Sequence, residues 1–555
     1  MFGISSDSSP LGQKNSSEFY EQILFCQTSF LELLSGGRRY LDIKESFTSV
    51  RKFYNITDGK VLYMTVLKIQ NCYSWLKTEN VKLHEKLWNA LRFREKGYQH
   101  STAYKRRVWD GFRDFYARNS GMFLTGLLPE ILAALKLFKV EYEIVDERNT
   151  PSWKYTSIDK FFLNQFRTET HAEDGSLLEP LELHDYQVDY VNQALKYGRG
   201  IIKAPTGAGK TFILISLLKA LPDNTPVLFM TKNAGLVKQN YEEMVQWGVQ
   251  NLGRCFGKYK EFNRVMCITA HKDSLKSIEK LLPKFKVLIV DEVHECTSAV
   301  PLRAFDKMTS AAIRFGISAT PFKFTKLNKD GTEDCKDKVQ KYKVKGYFGG
   351  VFKTTTTKTG YLTTKDLQER GILSRSNCTF YSIHEPKNIQ NEPYIDAVTL
   401  GISNNFDFLK TVRKLTLTLT GRTLILVERI DQGDYLNQLI PDSFWISGET
   451  DLDERANVFK ELKYGDNRIA IAMRHIITAG INVFVHNLIN ASGGQAEHSI
   501  VQQMGRGLRC AKDKEYLDYY DFLFRTNDYL LKHSMNRLKV LENEGHKITV
   551  KELDF

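Results

Sequence analysis

Residues 201–211, Ile-Ile-Lys-Ala-Pro-Thr-Gly-Ala-Gly-Lys-Thr, constrain the fold of this chain more than any other stretch. An apolar strand end, Ile201-Ile202, enters a tight loop, and Lys210-Thr211 open an apolar helical run from Phe212 to Leu221. Strand, loop and helix in that order make a βα unit. Glycines at 207 and 209 let the loop curl until successive N–H groups point inward, and the helix N-terminus adds partial positive charge, so the unit suits phosphate. Pro205, Thr206, Gly207, Ala208, Gly209, Lys210 and Thr211 would cradle a nucleoside triphosphate, Lys210 reaching its β/γ-phosphates and Thr211 holding Mg²⁺. The pattern G-x-x-x-x-G-K-[ST] starts here with Ala204, which the loop accommodates if its φ is negative.

A nucleotide site needs a carboxylate pair at a buried strand end. Val287-Leu288-Ile289-Val290 followed by Asp291-Glu292-Val293-His294 supplies one. Four apolar residues in a row suit a parallel strand covered on both faces. Asp291 would hold Mg²⁺ through water, and Glu292 would orient and deprotonate an attacking water.

Asp-Glu-x-His at 291–294, Ser318-Ala319-Thr320-Pro321 and Gln502-x-x-Gly505-Arg506-x-x-Arg509 resemble motifs II, III and VI of superfamily-2 helicases. Leu183-His184-Asp185-Tyr186-Gln187 resembles the Q motif, in which Gln187 would read the adenine edge, an amide being both donor and acceptor. Phe229–Asn233 and Ile268–His271 stand where motifs Ia and Ib belong, and 478–482 where motif V belongs. The resemblance thus implies nucleic-acid contacts by Thr231, Lys232, Thr269, Thr478 and Gly480. The family often carries Asp at the position of Asn482. Ile446-Ser447-Gly448-Glu449, Asp453, Arg455, Ile469–Ala472, the run from Gln502 to Arg509 and, outside the motor, Val108-Trp109-Asp110-Gly111 are similar to the UvsW type of bacteriophage recombination helicase. XPB-type repair helicases share the motor.

That resemblance implies ATP and Mg²⁺ as cofactors, bound in a cleft between two RecA-like domains. His294, Ser318, Ala319 and Thr320 would couple the ATP site to movement. Gln502, Arg506 and Arg509 would act from the second domain, the arginines as fingers on the γ-phosphate. The implied partner is DNA, branched or duplex, or an RNA–DNA hybrid. The implied activity is unwinding or branch migration of R-loops, D-loops, forks and Holliday junctions in recombination, repair and replication. Three rivals stand beside it: a duplex translocase subunit of a restriction or defence complex, a nucleotide-gated binding or annealing protein, and an RNA helicase.

At 555 residues the chain exceeds a single core. The expected α/β fold has two RecA-like domains with parallel sheets forming a helicase core, preceded by a small α/β DNA-binding domain. Boundaries are placed at 1–60 (N-terminal extension), 61–150 (accessory domain), 151–180 (linker), 181–350 and 351–510 (the RecA-like pair) and 511–555 (a helical tail). A net charge of +13 favours a polyanionic partner. Eight scattered cysteines without a C-x-x-C pair speak against a zinc site or disulfide framework and for a reducing cytoplasm, bacterial or phage-infected. No apolar run approaches the ~18 residues of a membrane span. Basic and aromatic residues interleave from Arg92 to Arg118. Trp109 is expected to fill the small domain's core, whereas Lys105, Arg106 and Arg107 contact DNA or form a solvated face. Lys341, Lys343 and Lys345 alternate as if along one side of a strand or extended loop, with a merely solvated edge as the alternative to a nucleic-acid contact.

Overall fold

The computed structural model describes residues 65–149, 156–167, 179–322, 324–327, 333–335, 337–464, 468–477, 484–493 and 516–553. The N-terminal extension and most of the linker lie outside these residues. Strands β1 (Thr65–Ile69), β2 (Tyr73–Lys77), β5 (Met122–Leu124) and β6 (Tyr142–Asp146) form a four-stranded sheet in the order β5-β2-β1-β6. Helices α1 (Val81–Ala90) and α2 (Leu128–Leu137) accompany it, and β3 (Arg92–Arg94) pairs with β4 (Phe112–Asp114) in a separate ribbon.

The first large sheet follows helix α3 (Asp185–Tyr197). Its strands are β7 (Arg199–Lys203), β8 (Val227–Thr231), β9 (Leu252–Phe256), β10 (Tyr259–Glu261), β11 (Val265–Thr269), β12 (Val287–Asp291) and β13 (Ile313–Ser318). They run in the order β10-β9-β11-β8-β12-β13-β7, all parallel except the edge strand β10. Continuous apolar runs give this arrangement because helices cover both faces: Val287 and Ile289 of β12 enter one buried cluster, Leu288 and Val290 the other. Helix α4 (Lys210–Ala220) leaves the loop after β7.

The second large sheet is wholly parallel. It contains β16 (Arg375–Ile383), β17 (Thr423–Val427), β18 (Phe444–Ile446), β19 (Ile469–Met473), β20 (Asn487–Asn490), β21 (Tyr516–Phe524) and β22 (Lys547–Glu552), in the order β18-β19-β17-β20-β21-β16-β22. A small hairpin, β14 (Phe324–Leu327) with β15 (Glu333–Cys335), and helix α5 (Lys338–Phe348) lie between the large sheets. Two RecA-like α/β units are thus present.

Three local expectations need correction. The C-terminal region is not a helical tail: β21 fills the gap between β20 and β16, and β22 pairs on the other side of β16. Only one helix, α6 (Asp528–Asn543), stands between them. The aromatic, alternating stretch at 516–524 suits a half-buried pleated surface better than a helix. Lys341, Lys343 and Lys345 lie on α5, because Asp337 caps it by accepting from the Gln340 N–H at 2.9 Å and Gly349 (φ 87°) ends it. Trp109 is only partly buried and donates Nε1–H to the Phe112 carbonyl at 2.7 Å, outside the small domain's core cluster.

Helix α5 joins the small sheet to the first large one. Lys345 pairs with the fully buried Glu130, Lys343 with Glu95 at 3.3 Å, and the Tyr342 ring lies 4.5 Å from that of Phe93. The backbones meet closely, since a Cβ on Gly126 would stand 2.1 Å from the Lys345 carbonyl and one on Gly346 2.5 Å from Leu124 Cδ1. Arg314, fully buried in β13, donates to the Phe305 and Met308 carbonyls and reaches Cys72 Sγ at 2.6 Å. Breaking the buried Lys345–Glu130 pair would cost about 3–5 kcal/mol.

Candidate nucleotide and nucleic-acid site

Three adjacent strand ends build the candidate site. Asp291 of β12 stands opposite Ile317 of β13, and Ser318 opposite Lys203 of β7. The carboxylate pair, the Ser318–Thr320 segment and the phosphate loop therefore emerge side by side at the C-terminal edge of a parallel sheet, where such sheets take ligands.

The loop has the backbone its sequence requires. Gly207 and Gly209 are left-handed (φ 87° and 73°), while Ala204 keeps a negative φ and is fully buried. Helix α4 starts at Lys210, so Thr211 sits in its first turn. Thr206 Oγ1 is buried with no hydrogen-bond partner, a polar group that a phosphate would satisfy. Gln187 is buried: its Nε2 donates to the Ala208 carbonyl at 2.9 Å and its Oε1 accepts from the His184 N–H at 2.8 Å. It braces the loop against the start of α3, with both ends of its amide engaged.

Glu292 is the hub. Its Oε1 lies 2.7 Å from Lys210 Nζ, and its Oε2 accepts from Ser318 Oγ at 3.0 Å. With its proton given to Glu292, Ser318 Oγ accepts from the Thr320 N–H at 3.1 Å and from His294 Nδ1 at 2.9 Å. That arrangement fixes the His294 proton on Nδ1. Burial alone would raise the Glu292 pKa, but the charges of Lys210 and His294 and the hydrogen bonds from Lys210 and Ser318 outweigh it and hold the group at about 2. Glu292 is also left-handed (φ 46°), a strain of about 1–2 kcal/mol for a residue with a Cβ. Asp291 Oδ1 accepts from the Glu292 N–H at 3.0 Å. Asp291 and Thr211 supply hard oxygen donors of the kind Mg²⁺ takes together with substrate phosphates.

Two contacts from beyond the first sheet had no signal in any motif. Leu373 lies on the phosphate loop, where a Cβ on Gly207 would stand 2.6 Å from Leu373 Cδ2. Arg370 Nη1 reaches Asp185 Oδ1 at 2.6 Å, and its Nη2 donates to the Thr356 carbonyl at 2.7 Å.

The nucleic-acid expectations divide. Thr231 and Thr269 end strands covered on both faces, so their side chains turn inward; Thr269 bonds Ser274 at 2.8 Å. Thr231 Oγ1 has no hydrogen-bond partner among the described residues, and Lys232 beside it is exposed. Lys105, Arg106 and Arg107 are all exposed on one turn. Thr478, Gly480, Gln502, Arg506 and Arg509 lie outside the described residues. Before that stretch, Arg537 Nη1 donates to the Gly493 carbonyl at 3.0 Å while the same guanidinium pairs with buried Asp521 at 2.7 Å.

Residues 180–323 match the family described as "Type III restriction enzyme, res subunit". The chain is 25% identical to the DNA 3'-5' translocase XPB2 of Sulfurisphaera tokodaii, over 68% of this chain and 91% of that protein. It is 23% identical to the ATP-dependent DNA helicase uvsW of Enterobacteria phage T4, over 68% of this chain and 78% of that protein. A candidate DNA 3'-5' helicase, Rad25 of Haloarcula marismortui, is 25% identical, and the chain spans 54% of its length. The crystal structure of T4 UvsW aligns over 88% of this chain and 99% of its own at 19% identity, with a TM-score of 0.41. The chain is thus similar to DNA helicases and translocases of the UvsW and XPB kinds, and residues 180–323 carry the match to the restriction-subunit family.

Proposed function

We propose that this protein is an ATP-driven DNA helicase that opens or migrates branched DNA: forks, R-loops, D-loops and four-way junctions. The observation that carries the reading is the bonded chain Lys210–Glu292–Ser318–His294 at the strand ends. Lys210 and Glu292 neutralise each other at rest, so neither is free for chemistry. A triphosphate entering the loop gives Lys210 a stronger partner and releases Glu292 to accept a proton from water. Mg²⁺ held near Thr211 and Asp291 would supply charge neutralisation at the phosphates. Because Ser318 bonds the same carboxylate, the Ser318–Thr320 segment feels that release. The Pro321 carbonyl next to it accepts from Gln340 Nε2 of α5 at 3.1 Å, and α5 carries the small N-terminal sheet. Arg506 and Arg509 complete the charge stabilisation from the second unit. The exposed cations Lys232, Lys105, Arg106 and Arg107 hold DNA phosphates.

Strand separation tests the reading. A fork, an R-loop and a four-way junction should each be resolved with ATP and left intact without it. A second reading, translocation on duplex without opening it, is favoured by the restriction-subunit match over 180–323. Displacement of a third strand from unbranched duplex, with all three branched substrates untouched, would favour that alternative.

A further inference from the structure

The turn after Thr102–Lys105 presents an apolar tip in a basic collar. Val108 is 78% exposed, more than any other large apolar side chain among the described residues. One exposed valine needs no explanation by itself. Its setting does. Lys105, Arg106 and Arg107 precede it, all exposed and with no acidic partner among the described residues, and Arg107 is left-handed (φ 58°).

The tip is stiff. The Val108 N–H donates to the Ala103 carbonyl at 3.0 Å and the Arg107 N–H to the Tyr104 carbonyl at 2.9 Å. Below it, Arg92 pairs with Asp110 and Asp114 and lies between the Trp88 and Phe112 rings, 4.4 and 4.3 Å from their centres. Arg94 covers the Tyr98 and Phe112 rings at 4.8 Å each. Guanidinium groups thus occupy aromatic faces that could have stacked unpaired bases. The ribbon itself rests on α5 through Phe93 and Tyr342, so the tip is tied to the first large sheet.

Building on the helicase reading above, we infer that Lys105–Val108 is a strand-separating wedge for duplex DNA at a branch point. The three cations hold phosphates on either side of the junction, and Val108 enters the terminal base step and keeps it unstacked. Apolar side chains flanked by cations open base steps in this way, and the stacking they break is regained as protein contact.

A fork with 2-aminopurine at its first base pair reads this directly, at saturating protein and without nucleotide. The full chain should raise the fluorescence. Val108→Asp should lower that rise about tenfold, the equilibrium factor of one stacked step, and should also lower the number of base pairs opened per ATP. Val108→Leu should retain both. Equal fluorescence and equal opening per ATP in Val108→Asp would overturn the wedge. So would a Val108→Leu loss as large as that of Val108→Asp, which would mark a packing role. The fluorescence step needs no ATP, so absent turnover in the unmodified protein would defeat the helicase reading while leaving the wedge to be judged by the same comparison.

Discussion

Lys210 Nζ and Glu292 Oε1 stand 2.7 Å apart, the lysine partly buried and the glutamate buried. In the proposed function, phosphate binding and water activation share this one ion pair, which nucleotide would break. Lys210→Ala should abolish both ATP binding and turnover. Glu292→Gln removes the base and leaves the cradle, so it should bind ATP yet lose ~10²–10⁴ in rate. Filter binding of labelled ATP beside phosphate release separates the two variants.

Arg506→Ala and Arg509→Ala should spare ATP binding and slow hydrolysis by about 10³–10⁵, as loss of an arginine finger does. Normal turnover at saturation with weakened ATP affinity would instead make these arginines ground-state ligands.

The close approach of α5 to the small sheet predicts a stability effect remote from the nucleotide. A Cβ on Gly346 would meet Leu124 Cδ1 at 2.5 Å, so Gly346→Ala should destabilise the protein by about 1–3 kcal/mol. A lowered thermal midpoint checks this. An unchanged midpoint would show that Leu124 moves aside freely.

His546 gives a pH dependence. Burial lowers its pKa from 6.5 to about 4, and its Nδ1 lies 2.6 Å from Ser376 Oγ. The folded chain holds it neutral, whereas the unfolded chain protonates it near its ordinary value. Its stabilising contribution is thus complete above pH 6.5 and lost as pH falls from there towards 4, by up to ~3 kcal/mol. Glu292 acts lower, its contribution fading only as pH falls from 4.5 towards 2. His546→Gln should flatten the fall in urea midpoint between pH 6.5 and 4.

Replacing Lys105, Arg106 and Arg107 together with Ala should weaken fork binding and reduce the log–log salt slope by about 0.9 for each lost contact to a duplex phosphate. Identical slopes across a salt series would make the turn a merely solvated face.

The sequence made the nucleotide site legible because its chemistry depends on local order: glycines two apart before Lys210, and a carboxylate pair after four apolar residues. The βα alternation and the parallel sheets followed from the same runs. What stayed hidden depends on distant partners. Nothing near Lys341, Lys343 or Lys345 reveals that two of them meet Glu95 and Glu130, and their alternate spacing suggested an extended segment where Asp337 and Gly349 bound a helix. The strand at 516–524 was obscured because Asp521 reads as polar, although Arg537, 16 residues on in the next helix, neutralises it inside the core. Thr231 and Thr269 sit at motif positions but point inward, because strands covered on both faces leave their ends little exposed surface.

In the proposed function, hydrolysis at the Lys210–Glu292 site drives strand separation. Single-turnover opening of a fluorescently labelled fork, by the unmodified chain and by Glu292→Gln, each with ATP and with a non-hydrolysable analogue, tests it most directly. Strand release is expected only for the unmodified chain with ATP, while Glu292→Gln binds both fork and nucleotide and opens nothing. Opening by Glu292→Gln at the unmodified rate, or rapid hydrolysis by the unmodified chain with the fork left closed, would contradict it.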